Sequence, residues 1–337
     1  MINLSNYVDN QKKLTTLLNN YIKNISKLSY SKQQHFNVRL YSCVGLPNDL
    51  KVDKNFGIDH VVEDINNIIN LYLDRNFKTI IEKYVSTPYK GVSDKKQAIY
   101  NWLTSFEDEI VNKYIAFGSL NEKLDILDRT NNIDKIDISK IYNIYKNDFE
   151  NLLLFHKKDS IKCCSKCATI YVNWLGNLYN LVNSDKFDFD VNLSIDDWRQ
   201  TRQKIIGKQY TPSSIYGVTH VILNGSRFYT KSLDSVEYHN ELLYLNNFLC
   251  DEHRYNYNGP IKVSNDLLCE CALCLKIGDN MIFNEWKHVL QHLFNIIDKD
   301  TNILQTNNND KNDKIKNLEN NEHVNILFIL LNKIKLL

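Results

Sequence analysis

Apolar residues return at every third or fourth position along most of this chain, and polar residues fill the positions between them. They form a single stripe between residues 10 and 28, and a longer stripe follows between residues 58 and 84. Because an α-helix has about 3.6 residues per turn, this spacing places the apolar side chains on one helical face. The pattern therefore predicts a series of amphipathic helices.

Start and stop signals divide the second half of the chain into further helices. Thr211 followed by Pro212 is a start signal, because a capping hydroxyl precedes proline at the first helical position. Ser264 is a second capping residue, and Gly278 ends the helix that it begins. The predicted helices are 10–28, 58–84, 93–114, 138–155, 161–182, a short helix after Ser194, 211–223, 234–248, 264–278, 283–297 and 323–337.

Glycine and proline, which form many of the turns in strand-rich folds, are scarce: the chain has 10 Gly and 4 Pro in 337 residues. We therefore predict an all-α fold of antiparallel helical hairpins packed as an α/α bundle or array. A charged break near residue 157, followed by helices that are apolar on every side, predicts two domains, 1–157 and 158–337. The polar, Asn-rich segment 298–321 predicts a mobile surface loop.

The charge of the chain is nearly balanced, with 41 Lys and Arg against 40 Asp and Glu, a formal net charge of +1. A chain without a strong positive field is not expected to bind nucleic acid or an anionic membrane. The longest apolar run, residues 326–331, is far short of the roughly 20 residues of a transmembrane helix. The first residues lack the pattern of a secretory signal. We predict a cytoplasmic protein with reduced cysteines and no membrane partner.

Three titratable residues stand in apolar helical segments of the second half. His220 lies in a helix with two apolar faces, so we expect this histidine to be buried. Glu270 is the only charged residue in 267–275, and a buried carboxylate needs a partner or a raised pKa. His323 directly precedes the largely apolar segment 324–331. These three residues are the predicted catalytic or ligand residues.

A histidine and a carboxylate brought together inside a helical protein can act as a general base and its orienting group, or as two metal ligands. We predict His220 as the base or a ligand, Glu270 as its partner, and His323 as a second base or ligand. The competing interpretation makes each of them a hydrogen-bonded core residue, which is the commoner role of a buried polar group. The sequence has no glycine-rich phosphate loop, nucleophile elbow or metalloprotease motif, so no common nucleotide-dependent enzyme is expected.

Two cysteine clusters each contain a Cys-x-x-Cys pair: Cys164 with Cys167, and Cys271 with Cys274. Together the four thiols are candidates for a zinc or iron–sulfur site. The pairs are about 100 residues apart, far more than in compact zinc modules. Both also lie in apolar helical segments, where cysteine commonly packs as a small hydrophobic residue.

A further pattern combines Glu285 with His288 and His292. The first two have the Glu-x-x-His spacing of di-iron bundles, and the two histidines share a helical face. Such bundles need two motifs of this kind, and this sequence has one. The neighbouring Lys287 and Gln291 indicate a solvated face instead.

Three short segments resemble an uncharacterised family of bacterial all-helical proteins. They are Tyr-Gly-Val-Thr-His at 216–220, Asn-Asp-Leu-Leu-Cys-Glu at 265–270, and His323 ahead of an apolar helix. The resemblance covers about residues 209–331, with Val218 where the family has leucine and the Asn-rich loop as an insertion. It implies a shared polar site at His220, Glu270 and His323. Some members accompany genes for the biosynthesis of modified peptides or other natural products.

These observations predict a biosynthetic or maturation enzyme, or a substrate-binding accessory protein, with a buried His/Glu/His pocket. Its substrate would be a modified peptide or another natural product. Two alternatives stay open: a helical scaffold that binds a peptide or protein partner, and a thiol-ligated metal protein. The sequence does not identify a cofactor.

Overall fold

The computed structural model of the chain consists of helices joined by turns, with no strand in the residues that it describes. The predicted all-α fold is confirmed. The described residues are 4–42, 58–74, 123–124, 126–127, 131–141, 172–173, 176, 195–206, 210–229, 231–250, 263–278, 282–305 and 313–333.

The connections between consecutive helices differ widely in length. In chain order the α-helices are α1 (Leu4–Asn24), α2 (Tyr30–Ser42), α3 (Ile58–Asp74), α4 (Ile195–Ile205), α5 (Pro212–Gly225), α6 (His239–Leu249), α7 (Asn265–Gly278), α8 (Trp286–Ile296), α9 (Lys314–Asn320) and α10 (Glu322–Lys333). Two single-turn 3₁₀ helices are Ile25–Lys27 and Ile133–Lys135. None of the described helices is both long enough and apolar enough to cross a membrane.

The predicted capping residues begin α5 and α7. The Thr211 side chain accepts the Ser214 N–H at 3.1 Å, and the Ser214 hydroxyl accepts the Thr211 N–H at 3.0 Å. This reciprocal arrangement satisfies two backbone donors that the first helical turn leaves open. In α7 the Ser264 hydroxyl accepts the Leu267 N–H at 3.2 Å. Side chains next to the helices thus set where both of these elements start.

Helix α2 lies outside the predicted helices. Its buried residues include Phe36 and Leu40, but also the polar residues Asn37 and Arg39. A buried face of mixed polarity does not give the apolar stripe that identifies a helix from sequence. This missed helix carries residues of the candidate site.

Helix α9 lies within the segment 298–321, which the sequence predicted to be a loop. Asp313 begins this helix by accepting the backbone N–H groups of Ile315 and Lys316 at 2.9 and 3.0 Å. Asn317 and Leu318 are buried. The prediction of a loop is therefore wrong for residues 314–320, because a cap and one buried apolar contact suffice to form a short helix there.

The chain divides into two compact units, one formed by residues 1–57 with 231–337 and the other by residues 58–230. Helices α1, α2 and α6 to α10 belong to the first unit, and α3 to α5 belong to the second. The predicted domains, 1–157 and 158–337, follow a different division, and residue 157 lies outside the described residues. The predicted helix 93–114 and most of 138–155 and 161–182 lie outside them too.

Helices α7 and α10 form the core of the first unit and pack against each other. Every residue of 267–276 in α7 and of 324–331 in α10 is buried. Helices α1 and α2 pack on α10, while α6 and α8 pack on α7. Burying one leucine or phenylalanine contributes about 1.5–3 kcal/mol, so this packing holds both helices firmly.

Lys276 connects the C-terminal ends of α7 and α10. Its ammonium donates to the Leu331 carbonyl at 2.6 Å and lies 5.1 Å from the ring centre of Trp286. Burial lowers the pKa of this lysine to about 8. The cation meets the partial negative charge of a helix C-terminus, which stabilises the pairing of the two helices.

Buried asparagines hold the N-terminal turn of α10 in place. The Asn325 side chain accepts the Leu304 N–H at 2.9 Å and donates to the Leu304 carbonyl at 2.8 Å. Asn321, between α9 and α10, donates to the Asn317 carbonyl at 2.8 Å. These bonds attach the start of α10 to the preceding loop and to α9, and they fix the direction of its first side chains.

Replacing Asn325 with alanine is expected to lower the free energy of unfolding by about 2–4 kcal/mol, because it leaves the buried N–H and C=O of Leu304 without partners. Urea denaturation followed by circular dichroism measures this loss. Asn332→Ala is the control, since the Asn332 amide donates only within its own helix, to the Phe328 carbonyl at 2.8 Å. Equal losses in the two variants would contradict the role given to Asn325.

Candidate functional site

Two carboxylates of α7 and one imidazole of α10 meet where the two helices begin. Asp266 and Glu270 are four residues apart and therefore lie on one face of α7. The His323 Nε2 lies 3.2 Å from the Asp266 Oδ1 and 3.5 Å from the Glu270 Oε1. We call these three residues the α7–α10 cluster.

The cluster lies at the edge of the core, and its members differ in exposure. The Glu270 side chain is 6% exposed, the Asp266 side chain 22% and the His323 side chain 40%. The carboxylate of Glu270 is thus at the base of the cluster, and the imidazole is open to solvent. The Asp266 Oδ1 is itself buried, so solvent meets the cluster at the His323 ring.

The environment of His323 raises the pKa of its imidazole above the usual value of 6.5. Burial alone lowers this pKa, but the charge of Asp266 and the hydrogen bond and charge of Glu270 outweigh it, with a further contribution from Glu322. Negative charge near an imidazole favours the imidazolium form. The same negative charge favours a metal cation at this position.

A second set of polar groups adjoins the cluster through α2. Glu322, next to His323 in sequence, is fully buried, and its Oε1 accepts the Nδ1–H of His35 at 2.7 Å. Lys32 donates to the other carboxylate oxygen at 3.3 Å. Burial raises the pKa of Glu322, but His35, Lys32 and His323 bring it below its usual value, so the carboxylate is ionised at neutral pH. Burial also lowers the pKa of His35 to about 4, against the opposite effect of Glu322.

The separations in the cluster fit the coordination of one metal ion. One ligand atom from each of the three residues lies within 4.8 Å of the others. Two atoms that bind one cation at about 2.1 Å are about 3.0–3.5 Å apart when the angle between the bonds is about 90–110°. The observed separations are 3.2 and 3.5 Å. The same separations also fit an ion pair between a protonated His323 and the two carboxylates.

His220 lies in the second unit, whereas Glu270 and His323 lie in the first. Its Nδ1 is 2.8 Å from the Asn173 Oδ1, which also accepts the Asn224 amide at 3.0 Å. The side chain is half-buried, so the expectation of full burial is wrong. Its partner Asn173 and the neighbouring Asn224 are both buried. The catalytic role of His220 stays a prediction.

Sequence reasoning singled out two members of the cluster, Glu270 and His323, and the structure places them 3.5 Å apart. It did not select Asp266, His35 or Glu322. A signal for Asp266 was its four-residue spacing from Glu270. No signal in the sequence indicated that α2 would bring His35 to this site.

Of the two cysteine pairs in the predicted thiol site, only Cys271 and Cys274 lie in the described part of the chain. Cys271 and Cys274 are fully buried, and burial raises the pKa of each thiol well above the usual value. Such cysteines are protonated at neutral pH and pack as apolar side chains. Cys164 and Cys167 lie outside the described residues, so a four-thiolate site remains an untested prediction.

Glu285 and His288 form a pair at the start of α8, and Glu285 also lies beside Cys250. The His288 Nδ1 lies 3.0 Å from the Glu285 Oε2, and the His288 side chain is 72% exposed. The neighbouring His292 is half-buried, and burial lowers its pKa. In the described residues, the only group of three or more potential metal ligands is the α7–α10 cluster.

Comparisons with protein-family models, curated proteins and solved structures find no match to this chain. The chemistry of the cluster is therefore inferred from its own geometry. Distances, exposure and charge at Asp266, Glu270 and His323 are the observations on which a functional proposal rests.

Proposed function

We propose that this protein is an enzyme whose active centre is a divalent metal ion held by Asp266, Glu270 and His323. The observation that supports this most directly is the convergence of one imidazole nitrogen and two carboxylate oxygens within 4.8 Å of one another. The oxygens come from one helix and the nitrogen from a second helix packed against it. The ligands are thus held in place by the core and not by a loop.

The donor atoms indicate the class of metal. One nitrogen and two carboxylate oxygens suit Zn²⁺, Mn²⁺ or Fe²⁺, whereas Mg²⁺ and Ca²⁺ prefer oxygen alone. Cu⁺ and iron–sulfur clusters prefer thiolates, and the nearby thiols of α7 are buried and protonated. A borderline or hard divalent transition metal is the expected occupant.

Three protein ligands leave coordination positions for water or substrate, as in catalytic metal sites. A metal in such a site polarises a bound carbonyl or phosphoryl oxygen and makes water a stronger nucleophile at neutral pH. The 40% exposure of the His323 side chain provides access from solvent. The proposed chemistry is therefore metal-assisted hydrolysis or a related addition to a polarised bond.

The biosynthetic or maturation role, a peptide or natural-product substrate, and a cytoplasmic location belong to the same proposal. Their support is the sequence resemblance and the balanced charge of the chain. The scaffold alternative rests on the helical pattern alone, because the exposed apolar residues of the described helices are scattered singly. No specific observation favours that alternative over the metal site.

The test is a titration of the metal-free full chain with Co²⁺, followed by visible absorption. We expect one Co²⁺ per chain and a spectrum that changes when thiocyanate is added, because an open coordination position accepts an anion. His323→Ala is expected to weaken binding at least 100-fold, since loss of an outer partner of a ligand already costs about 10–100-fold. His288→Ala is the matched control, because His288 also pairs with a carboxylate, at 3.0 Å, but outside the cluster.

The proposal fails if the wild-type chain binds no Co²⁺, or if His323→Ala and His288→Ala bind it equally well. It also fails if thiocyanate leaves the spectrum of the bound metal unchanged. That last result indicates a closed, structural site and not a catalytic one.

A further inference from the structure

A second imidazole stands beside the α7–α10 cluster, on helix α2. The rings of His35 and His323 have centroids 5.1 Å apart and planes inclined by 42°. His35 is not among the residues whose ligand atoms lie within 4.8 Å of one another. It is therefore a neighbour of the proposed metal position and not a ligand of the ion.

The hydrogen bond to Glu322 determines which nitrogen of His35 carries the proton. The His35 Nδ1 lies 2.7 Å from the Glu322 Oε1. Burial lowers the pKa of His35 to about 4, so the ring is neutral at neutral pH. An ionised carboxylate accepts a hydrogen bond and cannot donate one, so the proton of the neutral ring is on Nδ1. The Nε2, at the other edge of the ring, then carries a lone pair and is an acceptor.

Glu322 is itself held from a second side. Lys32, one helical turn before His35 on α2, donates to the Glu322 Oε2 at 3.3 Å. With a partner at each oxygen, the buried carboxylate cannot turn away from His35 without leaving a charge unpaired. Lys32 and Glu322 together fix both the orientation and the tautomer of the His35 ring.

The Nε2 edge of His35 is the part of the ring that reaches solvent. The His35 side chain is 29% exposed, whereas the Glu322 side chain that holds the Nδ1 edge is 0% exposed. In the described residues, the Nε2 has no hydrogen-bond partner. A metal ligand lies about 2.0–2.2 Å from the ion, and a hydrogen bond spans about 2.7–3.2 Å. An acceptor just outside the coordinating residues can therefore reach a molecule bound to the metal, although it cannot reach the ion.

We propose that the His35 Nε2 accepts a hydrogen bond from the substrate, and that Glu322 is the positioning residue that sets the tautomer of His35. This inference rests on the proposed function, because the substrate must be bound at the metal of the α7–α10 cluster. A fixed acceptor selects a substrate with an N–H or O–H donor next to the oxygen that the metal polarises, such as a secondary amide. An analogue that lacks the donor is rejected, because it leaves the acceptor unpaired.

The first test compares two ligands of the Co²⁺-loaded full chain, acetohydroxamic acid and N-methylacetohydroxamic acid. Both bind a divalent metal through two oxygens, and only the first has an N–H group. We expect the wild type to prefer the first, and this preference, measured from visible spectra, to fall about 3–10-fold in His35→Asn. The asparagine amide can donate to Glu322 from the position of Nδ1, but it has no atom equivalent to Nε2. His288→Ala is the control and is expected to keep the wild-type preference.

The second test measures the tautomer of His35 by nitrogen NMR of the metal-free full chain. We expect the proton on Nδ1 in the wild type, and His35→Asn identifies the signal by its loss. In Glu322→Gln, the amide oxygen is drawn to the Lys32 ammonium, so the amide NH₂ faces His35 and its Nδ1 must accept. We therefore expect this variant to carry the proton on Nε2 and to lose the ligand preference, although His35 itself is unchanged.

The outcomes are distinguishable from a failure of the proposed function. If the wild type binds no Co²⁺, or binds it and then admits neither hydroxamate, the proposed function fails and this inference fails with it. If both compounds bind but the wild type does not prefer the N–H compound, or His35→Asn keeps the full preference, this inference alone is overturned. A proton on Nε2 in the wild type also overturns it alone. Should His35→Asn not fold, His35→Phe is measured in its place, because it keeps a ring beside His323 without an acceptor.

Discussion

Replacing Phe328 with alanine is expected to lower the free energy of unfolding by about 3–5 kcal/mol. Phe328 lies at the centre of α10 and is 0% exposed. Its ring packs edge-on against Phe294 of α8, with centroids 5.0 Å apart. The substitution removes both the buried apolar area and the aromatic pair, and the closely packed helices around it cannot fully collapse into the cavity.

Urea denaturation, combined with hydrogen exchange of the α10 amides, measures this effect in the first unit. The control is Leu243→Ala on α6, where the leucine is 40% exposed. We expect a loss of about 0.5 kcal/mol or less for the control. A loss of that size for Phe328→Ala would show that α10 is not the core helix described here.

The double substitution Asp266→Asn with Glu270→Gln is expected to lower the affinity for Co²⁺ by at least about 10³-fold. Each neutral amide is a weak metal ligand, and removing even an outer partner of a ligand typically costs about 10–100-fold. Calorimetric titration of the wild type and the variant measures the difference. Glu285→Gln, which neutralises a carboxylate paired with a histidine outside the cluster, is expected to leave the affinity unchanged.

The same double substitution has a consequence for the metal-free protein. Burial lowers the pKa of His323 in the folded state, but Asp266 and Glu270 raise it by more. The protonated ring therefore stabilises the fold below the unfolded pKa of about 6.5, and this stabilisation is lost as the pH rises through the higher folded pKa. In the variant, we expect the pKa of His323, measured by NMR titration, to fall. An unchanged pKa would contradict the observed proximity of the carboxylates.

Part of this site could be predicted from the sequence, because Glu270 is the lone charge in an apolar segment and His323 precedes one. Both features are local, and the capping signals at Ser264 and Gly278 identified the helix that carries Glu270. Asp266 was not selected despite its four-residue spacing from Glu270, because an acidic residue in the first turn of a helix is commonly explained by the helix dipole.

The contribution of α2 could not be predicted in this way. The helix buries Asn37 and Arg39 beside apolar residues, so its apolar stripe is interrupted. Its contact with α10 brings together residues far apart in the sequence, such as His35 and Glu322. Helical periodicity does not indicate which distant helices pack together. For His220, two apolar helix faces predicted burial, yet its side chain is half-buried and lies 2.8 Å from the buried Asn173.

The most direct test of the metal site is an anomalous diffraction measurement on crystals of the full chain loaded with Co²⁺. We predict one anomalous peak at about 2.0–2.2 Å from the His323 Nε2 and from one carboxylate oxygen each of Asp266 and Glu270. The absence of a peak among these three side chains, or a peak only at an exposed pair such as Glu285 and His288, would contradict the account.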